Sequence, residues 1–260
     1  LRSLVGSEMC IRDRYRTGAT LVSVRAGMRD RHGGAPNMER MFRNVVTRRL
    51  DTEAVTPLVT CYGSSPEERS EFSARSFANW VDKTANLLAD EFDVTEGDGI
   101  ALPVLATHPH HWMAWVWLTA AWQVGAEVTV DGSGEIVVDG PDATPSGEGI
   151  PTVACSLHPL GMPLTTIADG VIDYVTEVRG QPDSWLGVDP DPGAILWQGL
   201  TWNDLEVPAD DARRLVCPRT PQEAIDALLA ALPGGSVVSV PSTWDAETQR
   251  AIAEVERVTA

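Results

Sequence analysis

The sequence predicts an α/β fold, a mostly parallel sheet flanked by helices. Three observations predict it. Between residues 73 and 130 a helical pattern, a short apolar run, an almost wholly apolar helix and a second short run follow one another. Further short apolar runs lie on both sides of that unit, bounded by Gly, Pro or Asp, as buried strands are. Helical patterns separate several of them, which is the βαβ order that makes neighbouring strands parallel.

Taken in order, a helical pattern begins at Met41-Phe42 and runs through Val45-Val46. Leu58-Val59-Thr60-Cys61-Tyr62 reads as a strand, with Gly63-Ser64-Ser65-Pro66 as its turn. Ser73 is an N-cap, and Phe77, Val81, Thr84 and Leu88 then share one helix face. Gly97-Asp98-Gly99 breaks the chain, and Ile100-Ala101-Leu102-Pro103-Val104-Leu105 reads as a strand covered on both faces. Thr107 and Pro109 mark the next helix start, since Pro fits the first turn. From Met113 to Val124 the helix is apolar all round, hence buried. Gly125 ends it, and Glu127-Val128-Thr129-Val130 is a strand.

Asp131-Gly132-Ser133-Gly134 is a hairpin signal into Glu135-Ile136-Val137-Val138. Residues 141–149 are a loop, and Thr152-Val153-Ala154-Cys155 is a strand. Residues 171–178 alternate with β-branched residues and read as a strand, a helix being the alternative. Ala194-Ile195-Leu196-Trp197 is a short strand. Thr220-Pro221-Gln222-Glu223 is a capping box with Pro at the first helical position. Ala224, Ile225, Leu228 and Leu229 give that helix its apolar face, and Gly234-Gly235 stops it. Ser236-Val237-Val238-Ser239-Val240 is a strand, and Ser242-Thr243-Trp244-Asp245 opens a last helix to about Val255.

Charge is divided sharply. Residues 1–50 hold 11 Arg and 4 acids. Subtracting these from the totals of 20 and 37 leaves 9 basic and 33 acidic residues, a net of −24, for the remainder. So acidic a body repels phosphate backbones, which excludes nucleic acid as a partner. The apolar stretch 112–124 is too short to span a bilayer. The four cysteines (Cys10, Cys61, Cys155, Cys217) contain no CxxC pair, which fits a reducing cytoplasm. Residues 4–13 resemble the translation of an adapter used to make sequencing libraries. Residues 1–37 are accordingly expected to be a non-native or disordered leader, and residues 38–260 one α/β domain.

Three segments carry a family resemblance: Ala85-Asn86-Leu87-Leu88, Gly97-Asp98-Gly99-Ile100-Ala101 and Gln123-Val124-Gly125-Ala126. Together they resemble the N-terminal subdomains of the adenylate-forming superfamily, the acyl-CoA synthetases, luciferases and peptide-synthetase adenylation domains. These segments are scaffold there, so the match speaks for fold before activity. The resemblance continues in Asp189-Pro190-Asp191-Pro192-Gly193-Ala194-Ile195, in Leu232-Pro233-Gly234-Gly235-Ser236-Val237-Val238 and in Glu254-Val255-Glu256-Arg257-Val258-Thr259. In the enzymes the first of these leads into a Ser/Thr/Gly-rich loop ending in Pro-Lys, whose backbone N–H groups cradle ATP phosphates. Here Gln198-Gly199 passes straight to Leu200-Thr201-Trp202, and Lys83, the only lysine, sits on the scaffold helix. The resemblance thus implies a missing phosphate loop. A Tyr-Gly-x-Thr-Glu motif, a ribose-binding Asp and a C-terminal domain with its lysine are also expected to be lacking. Tyr174-Val175-Thr176-Glu177 imitates that motif without its Gly.

Two groups of residues are candidate sites in their own right. His108, His110 and His111 place three imidazoles at a helix start, but adjacent positions do not share a helical face, so a polar cap competes with metal binding. Ser156 and His158 would share one face of a strand as a hydroxyl and a base, lacking an evident acid and oxyanion hole. Trp112, Trp115, Trp117 and Trp122 read as core before pocket lining. The leading expectation is a non-catalytic binding member of the adenylate-forming group, its partner a protein or small molecule. The alternatives are a carboxylate-activating enzyme completed by a partner, and a small hydrolase using Ser156 and His158. ATP or AMP enters only through the resemblance; the residues themselves require no cofactor.

Overall fold

The structure is a computed structural model and describes residues 42–205 and 211–260. The leader and the candidate starts at Met38 and Met41 lie outside the described residues. Helix α1 (Phe42–Glu53) leads into β1 (Pro57–Tyr62), β2 (Arg69–Ser73) and helix α2 (Ala74–Glu91). Strand β3 (Gly99–Ala101), helices α3 (Pro103–Thr107) and α4 (Trp112–Val124) and strands β4 (Glu127–Thr129), β5 (Ile136–Asp139) and β6 (Thr152–Ala154) follow. Then come β7 (Val171–Asp173), α5 (Tyr174–Val178), β8 (Ile195–Trp197) and β9 (Leu200–Thr201). Strand β10 (Arg213–Val216), α6 (Pro221–Ala231), β11 (Ser236–Ser239) and α7 (Ala246–Val255) complete the order.

The strands form two sheets, a four-stranded one in the order β10-β11-β1-β2 and a seven-stranded one in the order β7-β6-β5-β3-β4-β8-β9. Every pair is parallel except β1–β2 and β8–β9. The α/β class and the mostly parallel sheet therefore hold. Helix α2 packs on β1 and β2, α4 packs on β4, and the two helices pack on each other between the sheets. That central place explains the sequence of α4: all thirteen of its residues are buried. Among the described residues no helix is long and apolar enough to cross a membrane.

The caps match their residues. Ser73, Thr220 and Asp245 each accept a backbone N–H three residues on, starting α2, α6 and α7. Gly125 ends α4 at φ 82°, a conformation that costs a β-carbon dearly. Four expectations need correction. The apolar run at 100–105 is a strand only to Ala101, because Pro103 has no N–H for a ladder and instead starts α3. Helix α4 starts at Trp112, not near Pro109, because the His111 ring accepts the Met113 N–H. Residues 171–178 split into a three-residue strand and a short helix, divided by Asp173, whose carboxylate caps Thr176 N–H. Strand β2 went unread because it is a polar edge strand with Phe72 its only large apolar residue.

The expected hairpin at 131–134 is the fourth correction. Strands β4 and β5 do not pair; both lie parallel to β3, on opposite sides of it. The chain crosses the edge of β3 directly, and Glu135 N–H bonds Gly99 O at 2.8 Å. A β-carbon at Gly134 would lie 2.7 Å from Ala101 N and 2.8 Å from Gly99 O. Backbone stands on both contacts, so nothing flexible can yield. Gly134→Ala is expected to cost about 1–3 kcal/mol through overpacking, read as a lower denaturant midpoint at unchanged slope. A change within about 0.5 kcal/mol would mean that the crossing lifts off β3 freely.

Candidate functional site

The place where the resemblance sets a phosphate loop is closed by a hairpin. Trp197 pairs with Leu200, so Gln198 and Gly199 are the whole connection. Their φ values, 48° and 79°, are both left-handed, as a two-residue hairpin turn of the primed type requires. The flanks are fixed inside the protein. Trp197 Nε1 donates to Gln222 Oε1 at 3.1 Å, and Trp122 Nε1 donates to the Leu196 carbonyl at 3.2 Å. The Trp122 and Trp202 rings meet edge to face at 5.6 Å. A triphosphate needs a run of inward N–H groups and a cation; a two-residue turn between packed tryptophans does not fit one. Lys83 is far from serving, since its Nζ bonds Asp183 at 2.9 Å and the Gln181 carbonyl. Tyr174 is equally structural: its hydroxyl lies 2.6 Å from Thr84 Oγ1 in the core.

The sequence candidates gather at the carboxyl end of the seven-stranded sheet but do not form a reacting group. His111 is spent as the α4 cap, and burial holds its pKa down at about 3, aided by the other two histidines. Burial likewise takes His110 to about 4. His108 Nδ1 meets Thr107 Oγ1 at 2.9 Å. Among the described residues no group of three His, Cys, Asp or Glu is placed to hold a metal. Strand β6 ends at Ala154 and Leu157 is left-handed at φ 54°, so Ser156 and His158 do not share a strand face. Ser156 Oγ accepts the His158 backbone N–H at 3.3 Å, and His158 Nδ1 accepts that of Leu160 at 3.1 Å. Each side chain serves its own turn. Trp112, Trp115, Trp117 and Trp122 are core, none more than 1% exposed. Burial pushes the Cys61 thiol up to about 12 and raises that of Cys155 as well, so neither is a ready thiolate.

A cleft of about 620 Å³ opens at the amino ends of β10, β11 and β1, where Arg213, Ser236 and Pro57 stand. Its wall is an ion cluster that sequence reasoning missed. Glu256, the last cap of α7, accepts from Arg69 Nε at 2.6 Å, from Arg213 Nη2 at 2.6 Å and from the Tyr62 hydroxyl at 2.6 Å. Burial alone would raise the pKa of Glu256; the three donors outweigh it and hold the carboxyl at about 2. Burial, then the bond to Glu256, pushes Tyr62 up to about 12. Glu71 completes the group through Arg69 at 2.5 Å. No spacing in the chain signals this cluster, whose members come from two adjacent strands, a distant third and the end of the last helix.

No family model matches the chain. A "TIGR03089 family protein" of Mycobacterium tuberculosis (strain ATCC 25618 / H37Rv) is 31% identical over 237 residues, covering 81% of this chain and 93% of that protein. Among solved structures, an acyl-CoA synthetase of Brucella canis superposes with TM-score 0.64 at 15% identity, covering 87% of this chain and 48% of that one. A fatty acyl CoA synthetase of Mycobacterium tuberculosis gives 0.61 at 14% identity, covering 86% and 49%. The chain thus spans about half the length of the solved synthetases it matches, and it shares their fold as a shortened relative. The identity to the mycobacterial relative, carried across nearly all of that protein, settles kinship: the chain belongs to the TIGR03089 protein family.

Proposed function

We propose that this chain is a non-catalytic relative of the adenylate-forming enzymes, acting by binding a ligand or a protein rather than by activating a carboxylate. The observation that carries the reading is the two-residue Gln198-Gly199 turn at the phosphate-loop position. Adenylation depends on electrostatic stabilisation of phosphate charge by fixed N–H donors, Mg²⁺ and a cation. Losing one such donor set removes orders of magnitude of rate, and the single lysine is committed elsewhere. Carboxylate-dependent exchange of labelled pyrophosphate into ATP is the test, run over fatty, aryl and amino acids. The expected result is no exchange above the protein-free control. Robust exchange that a single substitution in this chain abolishes would refute the proposal.

A further inference from the structure

The cleft beside the ion cluster holds a guanidinium with donors to spare. Arg49 is 3% exposed and lines the cleft. Its Nη1 donates to the carbonyls of Ala231 at 2.6 Å and Leu232 at 3.4 Å, and its Nη2 to that of Pro57 at 3.1 Å. A guanidinium carries five N–H donors, so these bonds leave two unspent. Nε is one of them, buried with no partner. All three acceptors are neutral carbonyls, so they meet the hydrogen bonds without matching the charge. Burial lowers the Arg49 pKa, and Glu53, one turn along α1, only partly opposes it through space. The other buried charges of the cleft differ: Arg213 and Glu256 are matched to each other at 2.6 Å.

We propose that this cleft binds a small monocarboxylate, held by the unspent donors of Arg49. Nε and an adjacent Nη present two parallel N–H groups, the fork that the two oxygens of a carboxylate fit. The volume of about 620 Å³ lies in the range of small-molecule sites. Gly234 and Gly235 leave part of the wall as bare backbone, and the exposed Val255 gives it an apolar margin for a short carbon tail. Glu53 and Asp211 also line the cleft, and their charge selects one negative charge over two, carboxylate over phosphate. The site is separate from the Gln198-Gly199 hairpin and does not rest on the reading above. Pyrophosphate exchange would refute that reading and leave this site standing; failure to bind carboxylate would do the reverse.

The test is titration of the full chain with butyrate, followed at the Arg49 Nε–H resonance in ¹H–¹⁵N spectra. Butyramide, the uncharged isostere, and inorganic phosphate are the comparison probes. A saturable shift with butyrate, absent with butyramide and at least about tenfold weaker with phosphate, is expected. Arg49→Lys keeps the charge and removes the fork, and should weaken butyrate binding about tenfold. If that variant fails to fold, the butyrate and butyramide comparison on the unaltered chain decides alone. No saturable shift up to about 20 mM butyrate, or equal shifts from butyramide or phosphate, would overturn the proposal.

Discussion

Glu256→Ala is expected to lower stability by about 3–5 kcal/mol, the usual cost of removing one partner from a buried ion pair. The carboxylate is the only group that the Tyr62 hydroxyl, Arg69 Nε and Arg213 Nη2 all share. Its side chain is 5% exposed and that of Arg213 16%, so water cannot simply take its place. Arg69 is less committed, being 39% exposed and also paired with Glu71. The loss should therefore come mainly from Arg213 and Tyr62. The cluster joins α7 to β1, β2 and β10, so the variant should loosen the last helix first. Denaturant titration at unchanged slope measures the effect, and a loss below about 1 kcal/mol would place the cluster with surface pairs of little worth.

The pH dependence has a definite sign. The folded-state pKa of Glu256 lies near 2, below its ordinary 4.5. A depressed carboxylate contributes stability that is whole above its unfolded value and is lost as pH falls through the folded one. Unaltered chain and Glu256→Gln should thus differ fully above about pH 5 and converge as pH drops toward about 2. Convergence near neutral pH instead would mean that the carboxylate is not held by these donors.

How much of this was legible depended on whether the cause was local. Helices α2, α4, α6 and α7 were readable because period, cap and stop all lie within one segment, as in Ser73, the face of Phe77 and Val81, and Gly125. The path from β4 to β5 was not. Asp131-Gly132-Ser133-Gly134 has turn chemistry, yet which strand lies between depends on where Ile136 finds cover, and it finds it beside Ile100. The closed phosphate-loop position was legible because a deletion is visible in the chain itself. The ion cluster and the Arg49 cleft were not, since Tyr62, Arg69, Arg213 and Glu256 are ordinary surface residue types until the sheets assemble. Ser156 and His158 misled for a related reason: strand alternation was assumed across Leu157, whose left-handed φ ends it.

Trp115→Ala is expected to cost about 3–5 kcal/mol. Two terms add in the same direction. The side chain is 0% exposed on a helix buried on every side, against α1, α2, α3, α6 and β4. Neighbours fixed from that many directions cannot collapse far into the space left, so the cavity term is large. Its Nε1 also donates to the Pro109 carbonyl at 2.7 Å, and truncation leaves that acceptor buried without its partner. Trp115→Phe separates the two terms, because it keeps much of the volume and loses only the donor; its cost should be about 1–3 kcal/mol. The same comparison at Trp117, whose Nε1 has no partner, should show a smaller cost for the Phe variant, the ring being mostly preserved and no bond lost. Denaturant midpoints of the four variants at constant slope decide the matter. A loss below about 1 kcal/mol for Trp115→Ala would remove α4 from the centre of the fold and make its tryptophan face a surface for a partner.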